Sequence, residues 1–227
     1  MLFLEQNIKG ICDRNGITFR DFLSDMEVED VSELTMYDLE AIAEEYDVDL
    51  QALLFAHVTP ELSLRKKLDR IKLLVLDVDG VMTDGGMYFD AEGRQSKKFY
   101  AKDGHAIIHM TKQGFPVAII SSGFEGGAVM ARAKILGIQY ATVDRTPKID
   151  RLNKILSELN IQMEEVAIIG DDVNDLEVMN SVGFTAVPAD AVGRVKEVAD
   201  LILSKKGGEG CVREFIDNYL LKETISS

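Results

Sequence analysis

Leu73-Leu74-Val75-Leu76-Asp77-Val78-Asp79-Gly80-Val81-Met82-Thr83-Asp84 is a run of apolar residues that ends abruptly in two carboxylates two positions apart. Side chains alternate along an extended strand, so residues spaced by two leave it on the same side. A strand that stops here delivers both carboxylates to one point. A single Asp after a buried strand is commonly the cap of the next turn; a pair with Gly80 behind it reads instead as a nucleophile and its acid partner. Later segments repeat the pattern. Val117-Ala118-Ile119-Ile120 stops at Ser121-Ser122-Gly123, and Val166-Ala167-Ile168-Ile169 runs into Gly170-Asp171-Asp172-Val173-Asn174-Asp175. Between them Lys148 follows Pro147 and opens a helical pattern through Ile149, Leu152, Ile155, Leu156 and Leu159. Apolar strands alternating with amphipathic helices imply an α/β fold with a doubly wound, mainly parallel sheet. In such a sheet the carboxyl ends of the strands line one crevice, where these polar groups are expected to meet.

Taken in order, Asp77-x-Asp79-x-Val81, Ser121, Lys148 and Gly170-Asp171-Asp172-x-x-Asp175 resemble the motifs of the haloacid dehalogenase superfamily of phosphotransferases. Similarity to its capless branch is carried by Thr83-Asp84-Gly85-Gly86, Lys97-Lys98-Phe99, Val187-Pro188-Ala189-Asp190-Ala191 and Gly207-Gly208-Glu209-Gly210-Cys211-Val212-Arg213-Glu214-Phe215. The resemblance spans Ile71 to Leu221. It implies a Mg2+-dependent phosphatase of an eight- or nine-carbon keto-sugar acid phosphate. The lipopolysaccharide precursor 3-deoxy-D-manno-octulosonate 8-phosphate is the first expectation and a nonulosonate 9-phosphate the alternative.

The chemistry such a reaction needs can be assigned to residues. A phosphate monoester resists attack because its anionic phosphoryl group repels nucleophiles, so a site must neutralise charge and hold the nucleophile in line. Asp77 would attack phosphorus, giving an aspartyl-phosphate that splits one hard step into two easier ones. Asp79 would protonate the leaving sugar oxygen and then deprotonate the hydrolytic water. Ser121, or Ser122 one position on, would donate to a phosphoryl oxygen beside Gly80, and Lys148 would neutralise growing charge. Crowded carboxylates call for a cation, and their hard oxygens suit Mg2+. By resemblance Asp77 and Asp171 ligate it through carboxylates and Asp79 through its backbone carbonyl, while Asp175 orients Lys148 from behind. Arg132 is a candidate clamp for the substrate's carboxylate or a solvated helix arginine. Gly207 to Gly210 reads either as a flexible turn or, by resemblance, as a segment reaching an adjacent subunit's active site, with Arg213 meeting the substrate or the interface. The loop Phe124-Glu125-Gly126-Gly127 departs from the family pattern.

Gly86 to Phe99 breaks the strand-helix rhythm. Met87-Tyr88-Phe89, a turn at Asp90-Ala91-Glu92-Gly93 and a second strand ending in Lys98-Phe99 predict a projecting β-hairpin. In the resembled branch this hairpin helps build a homotetramer and stands where a cap domain would otherwise sit. His105 and His109 are four apart, but Ala106 occupies the position where a zinc-protease motif needs Glu, so neither is read as a ligand.

Residues 1–60 read as a small helical domain, 61–71 as a linker helix and 72–227 as the phosphatase-like domain. The first part has helical patterns at Asn7 to Gly16, after a Thr18 N-cap, after Thr35, and at Leu50 to Phe55, resembling a degenerate repressor-type helix-turn-helix domain. Between Met26 and Leu34 there is no space for a full recognition helix. No Lys or Arg occurs from Asp21 through Leu64, leaving His57 as the one conditional cation there. Duplex binding takes most of its affinity from phosphate neutralisation, so nucleic acid is not the expected partner. An interaction module fits better, and a regulatory or binding protein built on it is the alternative from another class.

Composition agrees. The 227 residues are 46% hydrophobic and carry a formal charge of −14, with a pI near 4.7. That balance disfavours nucleic acid and anionic membranes. Cys12 and Cys211 give no disulfide framework. No apolar run approaches the ~20 residues that span a bilayer, and no basic-then-apolar leader is visible. A cytoplasmic protein is expected.

Overall fold

The computed structural model describes residues 2–46, 48, 50–55, 62–123 and 126–221. Pro60, His57 and the loop residues Phe124 and Glu125 lie outside these. The chain falls into two compact units, Met1–Lys66 and Lys67–Ser227.

The first unit is helical: α1 Leu2–Asn15, α2 Phe19–Asp25, a 3-10 turn Val31–Glu33, α3 Met36–Glu45 and α4 Leu50–Phe55. α1 begins earlier than Asn7 because nothing in Leu2–Gln6 breaks a helix. Thr18 caps α2 by accepting from the Asp21 amide. Thr35 and Asp38 form a reciprocal capping box at α3, each cap contributing about 1 kcal/mol. Ile8, Ile11, Phe22, Leu39, Ile42 and Leu53 form the core. Within it the buried Asn7 Nδ2 donates to the Leu53 carbonyl at 2.9 Å, tying α1 to α4. A single 3-10 turn occupies the interval where a recognition helix would lie.

Helix α5, Leu62–Leu68, leads into the second unit. There follow β1 Leu73–Leu76, β2 Tyr88–Phe89, β3 Gln95–Ser96, α6 Ala101–Lys112, β4 Val117–Ser121, α7 Gly127–Leu136, β5 Tyr140–Val143 and α8 Lys148–Leu159. β6 Val166–Ile169, α9 Leu176–Met179, β7 Phe184–Val187, α10 Gly193–Lys196, β8 Leu201–Ile202 and α11 Cys211–Phe215 complete it. Among the described residues six strands make one parallel sheet in the order β5-β4-β1-β6-β7-β8. Parallel strands are covered on both faces, which is why β1, β4 and β6 read as continuous apolar runs. Leu73, Leu74, Val75 and Leu76 are all fully buried. Leu152, Ile155 and Leu156 of α8 pack with Val75, Ile120 and Ile168 in the main core. On α11, Phe215 lies between Phe184 and Tyr219, at ring distances of 5.7 and 6.0 Å.

The register positions the site. Leu76 pairs with Ile119 on one side and Ile169 on the other. The residues that follow, Asp77, Ser121 and Gly170-Asp171, therefore emerge side by side at the carboxyl edge of the sheet's central strands, where ligands of such sheets bind. β2 and β3 form a separate antiparallel hairpin whose turn is closed by Asp90, its Oδ1 accepting from the Glu92 and Arg94 amides. Its pairing stops at Ser96 and does not continue to Phe99.

Candidate active site

Asp77 stands one residue past β1 and is 5% exposed. Its Oδ1 accepts from the Val78 amide at 2.7 Å and its Oδ2 lies 2.9 Å from Lys148 Nζ. Lys148 opens α8 and bridges to Asp175 Oδ1 at 2.6 Å. Asp175 is fully buried, and its second oxygen accepts from the Asp171 and Asp172 amides at 3.1 and 3.5 Å. Both its oxygens are thus committed, one to the lysine and one to the backbone that carries Asp171.

Gly80 explains how the two acidic loops come together. Its φ is +83°, and a Cβ there would sit 1.9 Å from Asp171 Oδ2. Only glycine accepts both the left-handed backbone and a carboxylate at that distance. Asp79 is anchored by contacts of its own. Its Oδ1 meets Lys97 Nζ at 2.5 Å, with the lysine side chain 5% exposed, and the Thr83 hydroxyl at 3.4 Å.

The electrostatics follow from burial. Asp77 is pushed up to about 7 by desolvation and by Asp175, against the pull of Lys148. Asp171 is pushed up to about 8 by desolvation and then by Asp77, Asp175 and Asp172. Lys148 titrates above its ordinary value: burial lowers it, but Asp77 and Asp175 outweigh that. One ammonium does not balance these carboxylates, so the cluster favours bound protons or a cation. Asp77, Asp171 and Asp175 each offer an oxygen within 4.8 Å of the others, and an all-oxygen donor set fits Mg2+. Asp77 and Asp171 line the cleft whereas Asp175 is fully buried, so those two are the carboxylates that could hold such an ion.

The cleft above these groups measures about 250 Å³ and is lined by Asp77, Asp79, Gly80, Gly85, Ser121, Ser122, Asp171, Asp172 and Asn174. Ligand pockets generally enclose about 300–1,000 Å³. This one suits a phosphoryl group and leaves a longer substrate extending past it.

Of the residues singled out in the sequence, Arg132 and Arg213 do not line the cleft. Arg132 lies with its guanidinium 5.7 Å from the Phe99 ring centre and its Nε buried without a hydrogen bond among the described residues. The Arg213 guanidinium pairs with Asp217 one turn along, while its amide donates to Asp103 Oδ1 at 2.7 Å. Gly207 to Gly210 is not a loose turn in this chain, because it braces the loop after Asp77. The Gly208 amide donates to the Val81 carbonyl at 2.9 Å, and the Gly207 amide to Asp190 Oδ1 at 3.0 Å. A Cβ on Gly207 would lie 1.9 Å from the Gly80 carbonyl oxygen, and one on Gly208 2.4 Å from the Asp84 amide nitrogen. The absence of side chains is what admits this backbone contact. His105 and His109 are exposed on α6.

Two residues at the site escaped the sequence reading of chemistry. Lys97 was a part of a family-like segment without a role, and only the fold brings it to Asp79. Arg151 lies three residues after Lys148, hence on the same helix face, and that spacing was the available signal. Its Nη1 donates to the Ser121 carbonyl at 2.8 Å.

A haloacid dehalogenase-like hydrolase family model matches residues 88–183. The 3-deoxy-D-manno-octulosonate 8-phosphate phosphatase of Yersinia pestis is 38% identical over 153 residues, 67% of this chain and 81% of its own length. A crystal structure of that enzyme from Yersinia pestis superposes with a TM-score of 0.68 at 35% identity, covering 72% of this chain and 88% of the other. The Moraxella catarrhalis phosphatase of the same name, solved in complex with magnesium ion, phosphate ion and KDO, gives 0.65 at 33% identity over 68% and 88% of the two chains. With these similarities added to the acidic, lysine-bridged edge of its sheet, the chain belongs to the haloacid dehalogenase-like hydrolase family and is a phosphatase.

Proposed function

We propose that the protein hydrolyses 3-deoxy-D-manno-octulosonate 8-phosphate with Mg2+ bound at Asp77 and Asp171 and at the Asp79 backbone carbonyl. The observation that carries this is the meeting of Asp77, Asp79, Ser121, Ser122 and Asp171 around one cleft, in a chain whose relatives are named for that substrate. When bound, the cation would neutralise the phosphoryl oxygens and relieve repulsion between nucleophile and substrate.

Asp77 attacks phosphorus through its carboxylate, giving an aspartyl-phosphate as the sugar oxygen leaves. Asp79, held by Lys97, gives a proton to that oxygen and then takes one from the water whose attack on phosphorus breaks the bond to Asp77 and frees orthophosphate. Lys148 and the serine hydroxyls hold the phosphoryl oxygens as charge grows, and Asp175 keeps Lys148 in place. The cleft's small volume supports an assembly, most simply a homotetramer joined through the hairpin, in which a neighbouring chain completes the sugar end of the site. The helical first unit stands outside this chemistry.

The test is phosphate release by the full chain with Mg2+ from 3-deoxy-D-manno-octulosonate 8-phosphate, a nonulosonate 9-phosphate and simple sugar phosphates. The expected result is the largest kcat/KM for the first. A preference of tenfold or more for any other ester, about 1.4 kcal/mol in transition-state binding, sinks the substrate assignment.

A further inference from the structure

Arg151 lies on the buried face of α8, among Leu152, Ile155 and Leu156, and is 3% exposed. An apolar side chain would extend that stripe without the penalty of burying a guanidinium, so a charged residue here calls for a polar task. Its contacts define one. Nη1 donates to the Ser121 carbonyl at 2.8 Å and to the Thr142 hydroxyl at 3.4 Å. Nη2 donates to Ser122 Oγ at 3.4 Å, and Nε lies 3.7 Å from Asp144 Oδ1. The guanidinium therefore sits behind the end of β4, on the protein side of two serines that line the cleft from the other.

We propose that Arg151 is a positioning residue for phosphate binding, which fixes the loop after β4 and directs the Ser122 hydroxyl proton into the cleft towards a phosphoryl oxygen. A serine hydroxyl has one proton, and when its oxygen accepts from a neighbour that proton is left for another acceptor. A cationic donor also polarises the hydroxyl it bonds and makes it a better donor in turn. The Ser121 carbonyl, anchored at 2.8 Å, keeps the chain from turning away as the phosphate arrives. This proposal rests on the phosphatase reading of the cleft and distinguishes Ser122 from Ser121 as the hydroxyl under the arginine's control.

The experiment compares the wild-type chain with Arg151→Lys, Arg151→Met, Ser122→Ala and the double variant Ser122→Ala/Arg151→Lys, all with Mg2+. Turnover of an aryl phosphate and its inhibition by orthophosphate are measured. Lysine keeps the charge but not the fork, so Arg151→Lys should raise KM and the orthophosphate inhibition constant about tenfold while kcat falls less. In the Ser122→Ala background the same change should add less than about twofold, since the two residues act as a unit. Wild-type inhibition by orthophosphate in Arg151→Lys, or effects that multiply in the double variant, overturns the proposal. Should both arginine variants fail to fold, Ser122→Ala decides: an unchanged inhibition constant overturns it and a raised one supports it. The aryl substrate keeps the two readings apart, because a wild type that hydrolyses it but no sugar acid phosphate removes the substrate assignment and leaves this test standing.

Discussion

At Asp77 a buried strand ends in a carboxylate that pairs with Lys148, and the proposed reaction begins there. Asp77→Asn preserves the shape and the Val78 contact but removes the attacking charge. Its phosphate release should fall roughly a thousandfold or more in a variant that still folds; retention of a tenth of the wild-type rate would contradict covalent catalysis. Asp77, Asp79, Asp171 and Lys148 were legible in the sequence because each adjoins an apolar run whose structure the pattern dictates. Lys97 and Arg151 were not, since their partners lie 18 and 30 positions away and the one local hint, Arg151's spacing from Lys148, does not say what it would contact. Asp103 was equally hidden. It is 2% exposed, with Oδ2 buried and unbonded among the described residues, and burial pushes it up to about 6 despite the amides and arginines around it. Its folded value lies above its unfolded one, so the folded state binds the extra proton. The stability it contributes is full below about pH 4 and is lost as pH rises through about 6. Asp103→Asn keeps the Oδ1 acceptor and removes the charge. In Mg2+ at pH 7 it should be more stable than the wild type by roughly 1–3 kcal/mol, and the difference should vanish near pH 4. Thermal melts at both values check it.

Among the elements, the parallel strands were the most readable, because burial on both faces leaves an uninterrupted apolar signature. The hairpin was readable in kind but not in extent. Its second strand yields at Lys97, whose side chain turns in to Asp79 and whose neighbours leave the ladder. Met87, Tyr88 and Phe89 are exposed to 67%, 46% and 63%, a surface consistent with the proposed assembly through this hairpin. Removing residues 87–96 should convert an oligomer to a monomer in light scattering; an unchanged mass would end that proposal. The Gly207 to Gly210 segment was left between two readings because glycine pairs signal looseness in isolation, whereas here they permit contact. Gly208 has a φ of +65° and its Cβ would lie 2.4 Å from the Asp84 amide nitrogen. Gly208→Ala should therefore shift the loop behind Asp77 and cut kcat/KM by about tenfold or more, besides the roughly 1–2 kcal/mol of backbone strain. A variant with lowered thermal midpoint but full kcat/KM would limit the segment to stability.

For the whole molecule, the acidic edge of the sheet sets how stability responds to solution conditions. In the metal-free protein burial and neighbouring carboxylates push Asp77 up to about 7 and Asp171 up to about 8, above their unfolded values. Stability from these protons is therefore full near pH 4 and is lost as pH rises towards 8. Mg2+ competes with the same protons, so the rise in thermal midpoint on replacing EDTA with Mg2+ should be larger at pH 8.5 than at pH 5.5. An equal rise at both values would place the ion elsewhere. The contact of Gly207 and Gly208 with Gly80 and Asp84 carries a further consequence, one of timing. A ribosome delivers the nucleophile's strand well before the glycine pair, so the loop after Asp77 lacks its brace until Gly207 and Gly208 have been made. A nascent chain halted before Gly207 would hold every carboxylate of the site and still be a poor phosphatase, its competence arriving only with the glycine pair.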